Sequence, residues 1–205
     1  MGRAAVLLGS YLLGSVPFSY LVVKLRTGRD VRTVGSGNVG TTNVLRASGP
    51  TAALVALVLD AGKGVAAIWF ARRLDEPTWV LGGAAFAAVL GHVYPVFLGF
   101  RGGKGAATGF GALTALAPPV GVASLAVVAA VLAWARTVSL ASVTAAALSP
   151  LLMIVAQWRG WAPEGGPWLP LWTAAMAALI LGRHRENFAR LRAGTEPKLG
   201  ERLAP

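Results

Sequence analysis

Long apolar stretches, separated by short polar segments, dominate the chain. Apolar runs of membrane length occur near residues 4–23, 51–71, 78–98, 106–118, 119–135, 137–157 and 168–182. A helix of about 20 apolar residues crosses the hydrocarbon core of a bilayer, and it satisfies its own backbone hydrogen bonds there. The pattern therefore predicts an all-α, polytopic membrane protein of about seven transmembrane helices, with one domain over residues 1–205.

Two boundaries decide the number of predicted spans. Pro118 and Pro119 separate the fourth run from the fifth, and because proline has no backbone N–H, the pair predicts a sharp turn. Without that turn, residues 106–135 would be one long span and the count would be six. The first run resembles a signal peptide, but no small-residue cleavage site follows it, so we expect it to be kept as a span.

The basic residues fall mainly in alternate connecting segments. With the N-terminus outside, the inside segments hold 14 of the 19 Lys and Arg residues: Lys24, Arg26, Arg29, Arg32, Arg46, Arg101, Lys104, Arg136, Arg183, Arg185, Arg190, Arg192, Lys198 and Arg202. The outside segments hold Arg3, Arg72, Arg73 and Arg159, and Lys63 lies within the second span. Because cytoplasmic loops carry the excess of Lys and Arg, this distribution predicts an outside N-terminus, a cytoplasmic C-terminus and seven spans rather than six.

The amino-acid composition excludes several kinds of functional site. The chain is 55% hydrophobic and only 13% charged, and it has no Cys, which excludes disulfides and a thiol nucleophile. His92 and His184 are the two histidines, too few for an all-His metal site, so neither a metal nor a cofactor is predicted. The basic residues that give the chain its net charge of +11 lie between apolar spans. This placement favours binding of anionic substrates or lipid headgroups over binding of nucleic acid.

Asp60 and Lys63 form an i, i+3 pair within the second apolar run. A charge inside the membrane must find a partner, and it often marks a functional site. The alternative is a neutralised structural pair that orients the helix. His92, near the end of the third run, is expected to form a structural hydrogen bond to a neighbouring helix.

The first polar loop, residues 35–46, interleaves glycines with hydroxyl, amide and guanidinium groups. Its start matches G-x-G-x-x-G, but a membrane span precedes it instead of the strand that a dinucleotide site requires. Exposed backbone N–H groups and an Arg fork are suited to phosphate. A flexible connector is the alternative. The residues that could contribute are Ser36, Gly37, Asn38, Gly40, Thr41, Thr42, Asn43 and Arg46.

The second polar loop, residues 99–105, places Lys104 among Gly102, Gly103 and Gly105. It is not a P-loop, because Leu stands at position 98 and Gly at 105 where that motif needs Gly and Ser or Thr. A compact ammonium among glycines can still approach a phosphate or an oxyanion. Alternatively, Gly105 and Gly109 form a helix-packing face.

The C-terminal segment, residues 183–198, is basic. If it is helical, His184 and Asn187 lie on one face, and Glu186 can pair with Arg190 at i, i+4. A basic amphipathic segment is also typical of a membrane-surface element. The chain has no G-x-S-x-G motif, so a hydrolase-type serine is unsupported, and neither His is followed by Asp five residues later.

These three segments together resemble the PlsY family, bacterial membrane acyltransferases. A Ser-Gly-Asn-x-Gly-x-x-Asn pattern is similar to residues 36–43, with Arg46 following. A Gly-Gly-Lys-Gly pattern is similar to residues 102–105, with His92 and Pro95 upstream. A His-Arg-x-Asn-x-x-Arg-Leu pattern followed by Gly-x-Glu-x-Lys is similar to residues 184–191 and 194–198.

The resemblance implies seven membrane helices, three motifs at the cytosolic face, and transfer of a fatty acyl group from acyl phosphate to the 1-hydroxyl of sn-glycerol 3-phosphate. We expect the first loop to cradle one phosphate and Lys104, with His184 and Asn187, to bind the other. The general base is either His184 or a substrate phosphate. The predicted catalytic residues are Ser36, Arg46, Lys104, His184 and Asn187; the predicted substrate-binding residues are Gly37, Asn38, Gly40, Thr41, Thr42, Asn43, Gly102, Gly103, Gly105 and Lys198.

The expected location is the bacterial cytoplasmic membrane, with the active site facing the cytoplasm. The expected partners are acyl phosphate, glycerol 3-phosphate, membrane lipid and the soluble enzyme that makes acyl phosphate, and no nucleic acid. A transporter of a phosphorylated solute would need polar groups across the membrane and related halves. At mid-membrane depth only Asp60 and Lys63 are polar candidates, and no internal repeat is seen. A scaffold would leave the Gly- and Asn-rich loops unexplained.

Overall fold

A computed structural model of the protein describes residues 2–201. This part of the chain is all-helical, with no β-strand, as the sequence predicts. Its α-helices are α1 (Arg3–Ser15), α2 (Phe18–Thr27), α3 (Thr41–Arg73), α4 (Thr78–Val93), α5 (Ala106–Leu116), α6 (Pro118–Ala135), α7 (Val138–Trp158), α8 (Trp168–Arg183) and α9 (Arg185–Arg192), with short 3₁₀ helices at Val31–Thr33 and Val96–Leu98.

Each of the seven predicted apolar runs corresponds to an apolar helical segment. Within residues 2–201, five segments are long and apolar enough to cross a bilayer: Arg3–Thr27, Thr41–Arg73, Thr78–Leu98, Pro118–Ala135 and Val138–Trp158. The helices α5 and α8 are also apolar but shorter. The exact number of crossings and the orientation of the termini stay predictions.

The first span is not one helix, contrary to the prediction for residues 4–23. It breaks between α1 and α2 at Val16 and Pro17. Proline lacks an N–H and disfavours helical geometry in the residue before it, so the sequence contained the signal for this break. The carbonyl of Val16, which is freed from helix hydrogen bonding, accepts a hydrogen bond from Lys63 Nζ at 3.0 Å.

The second span also differs from the prediction, because helical structure begins at Thr41, within the predicted polar loop. Gly49 has φ 82° and ψ 180°, and Pro50 follows it, so α3 is two helices joined at a kink. Proline in a helix interior removes one hydrogen bond and clashes with the preceding turn. The kink lets residues 41–48 leave the axis of the long apolar segment and end the first loop on a helix N-terminus.

The helices approach one another closely at glycines. A Cβ at Gly14 would lie 2.1 Å from the carbonyl oxygen of Ala88, so α1 and α4 are in backbone contact. A Cβ at Gly64 would lie 2.2 Å from the carbonyl oxygen of Thr108, and one at Gly111 would lie 2.0 Å from that of Ala61. Small residues allow such close helix packing in membranes, so α3 and α5 also pack backbone to backbone.

The predicted turn between the fourth and fifth spans is present. The helix α5 ends at Leu116, and Pro118 and Pro119 are the first two residues of α6. At the start of a helix the missing N–H of proline costs no hydrogen bond. The two prolines therefore both end one helix and begin the next.

The close contact at Gly64 can be tested against Gly62, two residues away in α3, which has no neighbour within 4 Å of an added Cβ. We expect Gly64→Ala to destabilise the protein by about 1–3 kcal/mol, because the methyl group would force α3 and α5 apart. Gly62→Ala should be neutral or slightly stabilising, since Ala favours helix. Thermal unfolding in detergent measures both; equal effects would contradict the packing.

The predicted orientation can be tested because the chain has no native Cys. Glu164 and Arg192 are both exposed and lie in segments predicted to be outside and cytoplasmic. We expect a membrane-impermeant maleimide to label Glu164→Cys in intact cells and Arg192→Cys only after the membrane is opened. The reverse pattern would contradict the orientation derived from the basic residues.

Candidate functional site

The first polar loop is organised by Asn43. This buried side chain donates from Nδ2 to the carbonyls of Val31 at 2.9 Å, Val34 at 2.9 Å and Asn38 at 3.0 Å. Its Oδ1 accepts from the backbone N–H of Ser36 at 3.1 Å. Because the amide is used within the loop, Asn43 holds the loop in shape, and the contact with substrate predicted for it is better assigned to its neighbours.

The outer surface of the loop presents polar groups. Ser36 is exposed, and Thr41 and Thr42 are partly exposed in the first turn of α3. Within residues 2–201, none of their three hydroxyl groups is in a hydrogen bond. The first N–H groups of a helix have no partner in the helix and attract anions. The loop and the start of α3 therefore offer hydrogen-bond donors suited to an anion.

The second polar loop is packed directly on the end of α4. The N–H of Gly102 donates to the carbonyl of Val93 at 3.2 Å, and that of Gly103 donates to the carbonyl of His92 at 3.1 Å. A Cβ at Gly103 would lie 2.2 Å from His92 Nε2 and 2.3 Å from the carbonyl oxygen of Val39. Glycine is therefore required at position 103, and the first and second loops are in contact there.

Gly105 ends the second loop in a left-handed conformation, with φ 86°, at the start of α5. Gly105 and Gly109 both face the side chains of Val89 and Ile180, so these two glycines do form a helix-packing face. Lys104 lies between the packed Gly103 and the first turn of α5. The glycines therefore pack as the second reading of the loop predicts, and the anion-binding role of Lys104 stays a prediction.

The third segment turns back on itself after α9. Gly194 has φ 69°, and the N–H of Thr195 donates to the carbonyl of Arg190 at 2.9 Å. The turn brings Glu196 against α9 and α7. Its carboxylate accepts from Ser139 Oγ at 2.7 Å, Asn187 Nδ2 at 2.6 Å and Arg190 Nε at 2.7 Å.

The predicted pair between Glu186 and Arg190 is wrong. Arg190 pairs with Glu196, and within residues 2–201 Glu186 is exposed and in no ion pair. An exposed i, i+4 pair contributes only about 0.3–0.5 kcal/mol. Glu196 offers a partly buried carboxylate that two other donors already hold in place, so it is the better partner.

Lys104 connects the second loop to this cluster. Its Nζ donates to Asn187 Oδ1, and the Nδ2 of Asn187 donates in turn to Glu196. Partial burial and the nearby positive charge of Arg190 lower the pKa of Lys104 below its usual value. The ammonium is thus held by an amide and not by a carboxylate, which leaves its charge available to an anion.

His184 is buried, and its Nδ1 lies 2.7 Å from the carbonyl of Ile180. A carbonyl can only accept, so the ring proton is on Nδ1 and the lone pair of the neutral ring is on Nε2. Burial, aided by the positive charge of Lys104, lowers the pKa of His184 to about 4. The ring is therefore uncharged at neutral pH.

The polar side chains of Asp60 and Glu196 have carboxylate oxygens that could coordinate a cation. However, within residues 2–201 no three His, Asp or Glu side chains are grouped as a metal site would require. Burial lowers the pKa of Arg46, and the charges of Glu196 and Arg190 also act on it, so the first loop lies near the third segment. The same two charges act on Lys104.

The structure thus brings Lys104, His184 and Asn187 together, with Arg46 near the same carboxylate, that of Glu196. Lys198 is not in the cluster: its side chain is exposed, and its backbone N–H donates to Glu201 at 2.8 Å. Sequence reasoning missed Ser139 and underrated Glu196. Ser139 is in an apolar run far along the chain and no motif marked it, whereas Glu196 was inside the third pattern.

The chain is similar to known glycerol-3-phosphate acyltransferases over nearly its whole length. A family model described as "Glycerol-3-phosphate acyltransferase" matches residues 4–194. The chain is 49% identical to the glycerol-3-phosphate acyltransferase of Jannaschia sp. (strain CCS1) over 98% of this chain and 94% of the relative. It is 48% identical to that of Rubrobacter xylanophilus over 96% of this chain and 94% of the relative.

Two crystal structures are also similar. Both are of PlsY (YgiH), an integral membrane glycerol 3-phosphate acyltransferase. Its glycerol 3-phosphate form has a TM-score of 0.89 and 40% identity, over 98% of this chain and 96% of that one. Its lysophosphatidic acid form has a TM-score of 0.86 and 38% identity, over 97% of this chain and 95% of that one.

The role of Glu196 in joining α7 and α9 can be tested against Glu186 as control. Burial alone would raise the pKa of Glu196, but hydrogen bonds from Ser139, Asn187 and Arg190 overcome it and lower that pKa below 4.5. The carboxylate therefore stabilises the fold above pH 4.5, and this contribution is lost as pH falls through the lowered pKa.

We expect Glu196→Gln to lower the unfolding temperature at neutral pH, whereas Glu186→Gln leaves it unchanged. The difference between Glu196→Gln and the parent protein should shrink on acidification below pH 4.5. Thermal unfolding across this pH range measures it. A difference that does not depend on pH would mean that the charge of Glu196 is not what holds the cluster.

Proposed function

Because the chain belongs to the glycerol-3-phosphate acyltransferase family and is an integral membrane acyltransferase, we propose that it transfers a fatty acyl group from acyl phosphate to the 1-hydroxyl of sn-glycerol 3-phosphate. The hydroxyl oxygen forms a new bond to the acyl carbon, and the bond from that carbon to the phosphate oxygen breaks. The hydroxyl proton leaves with inorganic phosphate. The product is lysophosphatidic acid.

The observation that carries this proposal is the contact between two loops that each offer donors suited to an anion. The first loop offers the start of α3 with the hydroxyls of Ser36 and Thr41, and the second offers Lys104, held by Asn187. The two loops touch where Gly103 packs against Val39. Both proposed substrates carry a phosphate, so two adjoining phosphate sites fit the reaction. The glycerol 3-phosphate form of the similar PlsY structure supports the acceptor.

Each loop binds one phosphate in this proposal. In the first loop, the N–H groups of Thr41 and Thr42, their hydroxyls and that of Ser36 donate, and Arg46 adds a bidentate fork. Gly37, Asn38 and Gly40 shape this cradle. In the second, Lys104 stabilises negative charge that develops on the substrate oxygens, while Gly102, Gly103 and Gly105 allow the close approach.

The reaction needs no covalent intermediate. Acyl phosphate is a mixed anhydride whose phosphate leaves readily, so holding the hydroxyl against the acyl carbon supplies much of the rate. A fixed ammonium and fixed backbone dipoles supply the rest, because they require no reorganisation as charge develops. No serine nucleophile is then required, in agreement with the missing nucleophile elbow.

The proton acceptor is better assigned to a substrate phosphate than to His184. With a pKa lowered to about 4, His184 is a weak base at neutral pH. A phosphate monoester has a second pKa of about 6, which is closer to the working pH of a base. His184 then accepts a hydrogen bond at Nε2 from the other hydroxyl of glycerol 3-phosphate and so orients the acceptor.

The membrane location suits the two substrates. In the proposed orientation the loops face the cytoplasm, where glycerol 3-phosphate is dissolved, and the protein lies in the bacterial cytoplasmic membrane. The acyl chain of the donor lies between apolar helices and enters from the lipid. The soluble enzyme that makes acyl phosphate is the proposed partner that delivers the donor to this surface.

The donor is tested with purified protein in lipid nanodiscs and glycerol 3-phosphate, offered palmitoyl phosphate or palmitoyl-CoA. We expect lysophosphatidic acid, with an equal amount of inorganic phosphate, from palmitoyl phosphate only. Product from palmitoyl-CoA would refute the donor. The absence of product from both, together with uptake of glycerol 3-phosphate into proteoliposomes, would favour the transporter.

The site is tested by substitutions in the same assay. We expect Lys104→Ala and Ser36→Ala to lower kcat/KM by about 10²–10³-fold, the usual effect of removing one group that stabilises developing charge. Arg101→Ala is the matched control, because Arg101 is an exposed basic residue of the same loop, and its activity should stay near that of the parent protein.

His184→Ala separates the two candidate bases. If a substrate phosphate takes the proton, the variant keeps part of its activity, and its rate still falls as pH drops through about 6. A complete loss of activity, or the disappearance of that pH dependence in the variant, would return the role of base to His184.

A further inference from the structure

A group of buried polar side chains lies outside the residues assigned to the reaction. Asp60 in α3 accepts from Ser19 Oγ at 2.7 Å and pairs with Lys63 Nζ at 3.0 Å. The ring of His92 in α4 lies 3.5 Å from the same carboxylate. All four side chains are buried, and we call them the Asp60 cluster. A small cavity of about 10 Å³ adjoins it, comparable to one water molecule.

The cluster lies directly beneath the two loops. The same cavity is lined by Val39 of the first loop and Gly102 of the second. The backbone carbonyl of His92 accepts from the N–H of Gly103 at 3.1 Å, and its ring fills the space where a side chain at position 103 would be. The residue before Lys104 is therefore seated on His92.

A second contact fixes the chain on the other side of Lys104. Thr108, buried in the first turns of α5, donates from Oγ1 to the backbone carbonyl of Asp60 at 2.9 Å. Lys104 thus lies between two attachment points, Gly103 on His92 and Thr108 on Asp60. Both attachment points belong to residues of the cluster, on different helices.

The pairing is costly to rearrange. Removing one partner of a buried ion pair destabilises a protein strongly, because the remaining charge is unpaired in a medium of low dielectric constant. The lost hydrogen bond at the break of the first span is also replaced here, since Lys63 donates to Val16. The cluster ties α2, α3 and α4 together at one point, since Ser19 and Lys63 bond to Asp60 and the ring of His92 lies beside it.

From these contacts we propose that Ser19, Asp60, Lys63 and His92 are positioning residues for Lys104. They hold the second loop so that the ammonium meets the phosphate bound there, next to the phosphate bound at the first loop. The inference rests on the role proposed above for Lys104. It assigns the intramembrane pair a task at the active site, a third reading beside a neutral structural pair and a transport site.

The experiment measures kcat and KM for glycerol 3-phosphate, with palmitoyl phosphate as donor, for three mild substitutions: Ser19→Ala, Thr108→Val and His92→Gln. Each removes one contact and leaves the ion pair intact. Ser10→Ala is the matched control, because Ser10 is a buried serine of the same span. Within residues 2–201 its hydroxyl donates only to the carbonyl of Val6 in its own helix, at 2.8 Å. Size-exclusion chromatography and thermal unfolding report the folded fraction.

We expect the three substitutions to lower kcat/KM at least tenfold per folded enzyme, with the loss divided between kcat and KM as in Lys104→Gln. Ser10→Ala should change it less than twofold. In a Lys104→Gln background, the same three substitutions should lower the remaining activity by less than twofold, since there is no ammonium left to misplace.

Two outcomes overturn the proposal. One is parent-like activity in all three variants. The other is a loss that multiplies with that of Lys104→Gln, which would mean that the cluster acts on the enzyme independently of Lys104. Failure of the proposed function is separate: in that case Lys104→Gln itself keeps the activity of the parent protein, or palmitoyl phosphate gives no product.

Discussion

The arrangement of the first helices depends on the pairing of the buried Asp60 carboxylate. Within an apolar layer there is no water to solvate a charge, so each polar group must be paired by the protein. Ser19 and Lys63 provide that pairing. Because these donors lie on α2 and α3, and the ring of His92 approaches from α4, one charge determines how three helices meet. The break at Pro17 becomes tolerable for the same reason: the carbonyl it frees is bonded to Lys63.

Glycine has two separate uses in this molecule. Between helices, at Gly14 and Gly64, the absent side chain lets two backbones touch. In the loops, at Gly103 and Gly105, it lets the chain pass over α4 and turn into α5 with Lys104 between them. The first use gives the scaffold its rigidity, and the second brings the ammonium to a fixed point. A phosphate site needs both, since a loop on a yielding scaffold would not keep its donors in register.

Sequence patterns predicted the apolar helices well because membrane length and hydrophobicity are local properties. The structure differs from the predicted spans at the break at Pro17 and the kink at Gly49. Both have a local cause in the sequence, but a single proline within an apolar run does not by itself determine whether a helix breaks. The site was harder. Motifs marked Lys104 and Asn187, whereas Ser139 became visible only when Gly194 turned Glu196 towards α7, and the partner of Arg190 changed with it. Such contacts depend on tertiary packing, so no spacing of residues along the sequence indicates them.

The shortness of α5 has a consequence for how the two substrates meet. It has 11 residues against the 18 of its neighbour α6. At 1.5 Å per residue, α5 is about 10 Å shorter than α6. Lys104 immediately precedes this short helix, so in the proposed orientation we expect its ammonium to lie deeper than the cytoplasmic end of α6. In the proposed reaction, a water-soluble acceptor would then descend towards the acyl chain, and the tail of the donor would stay in the hydrocarbon.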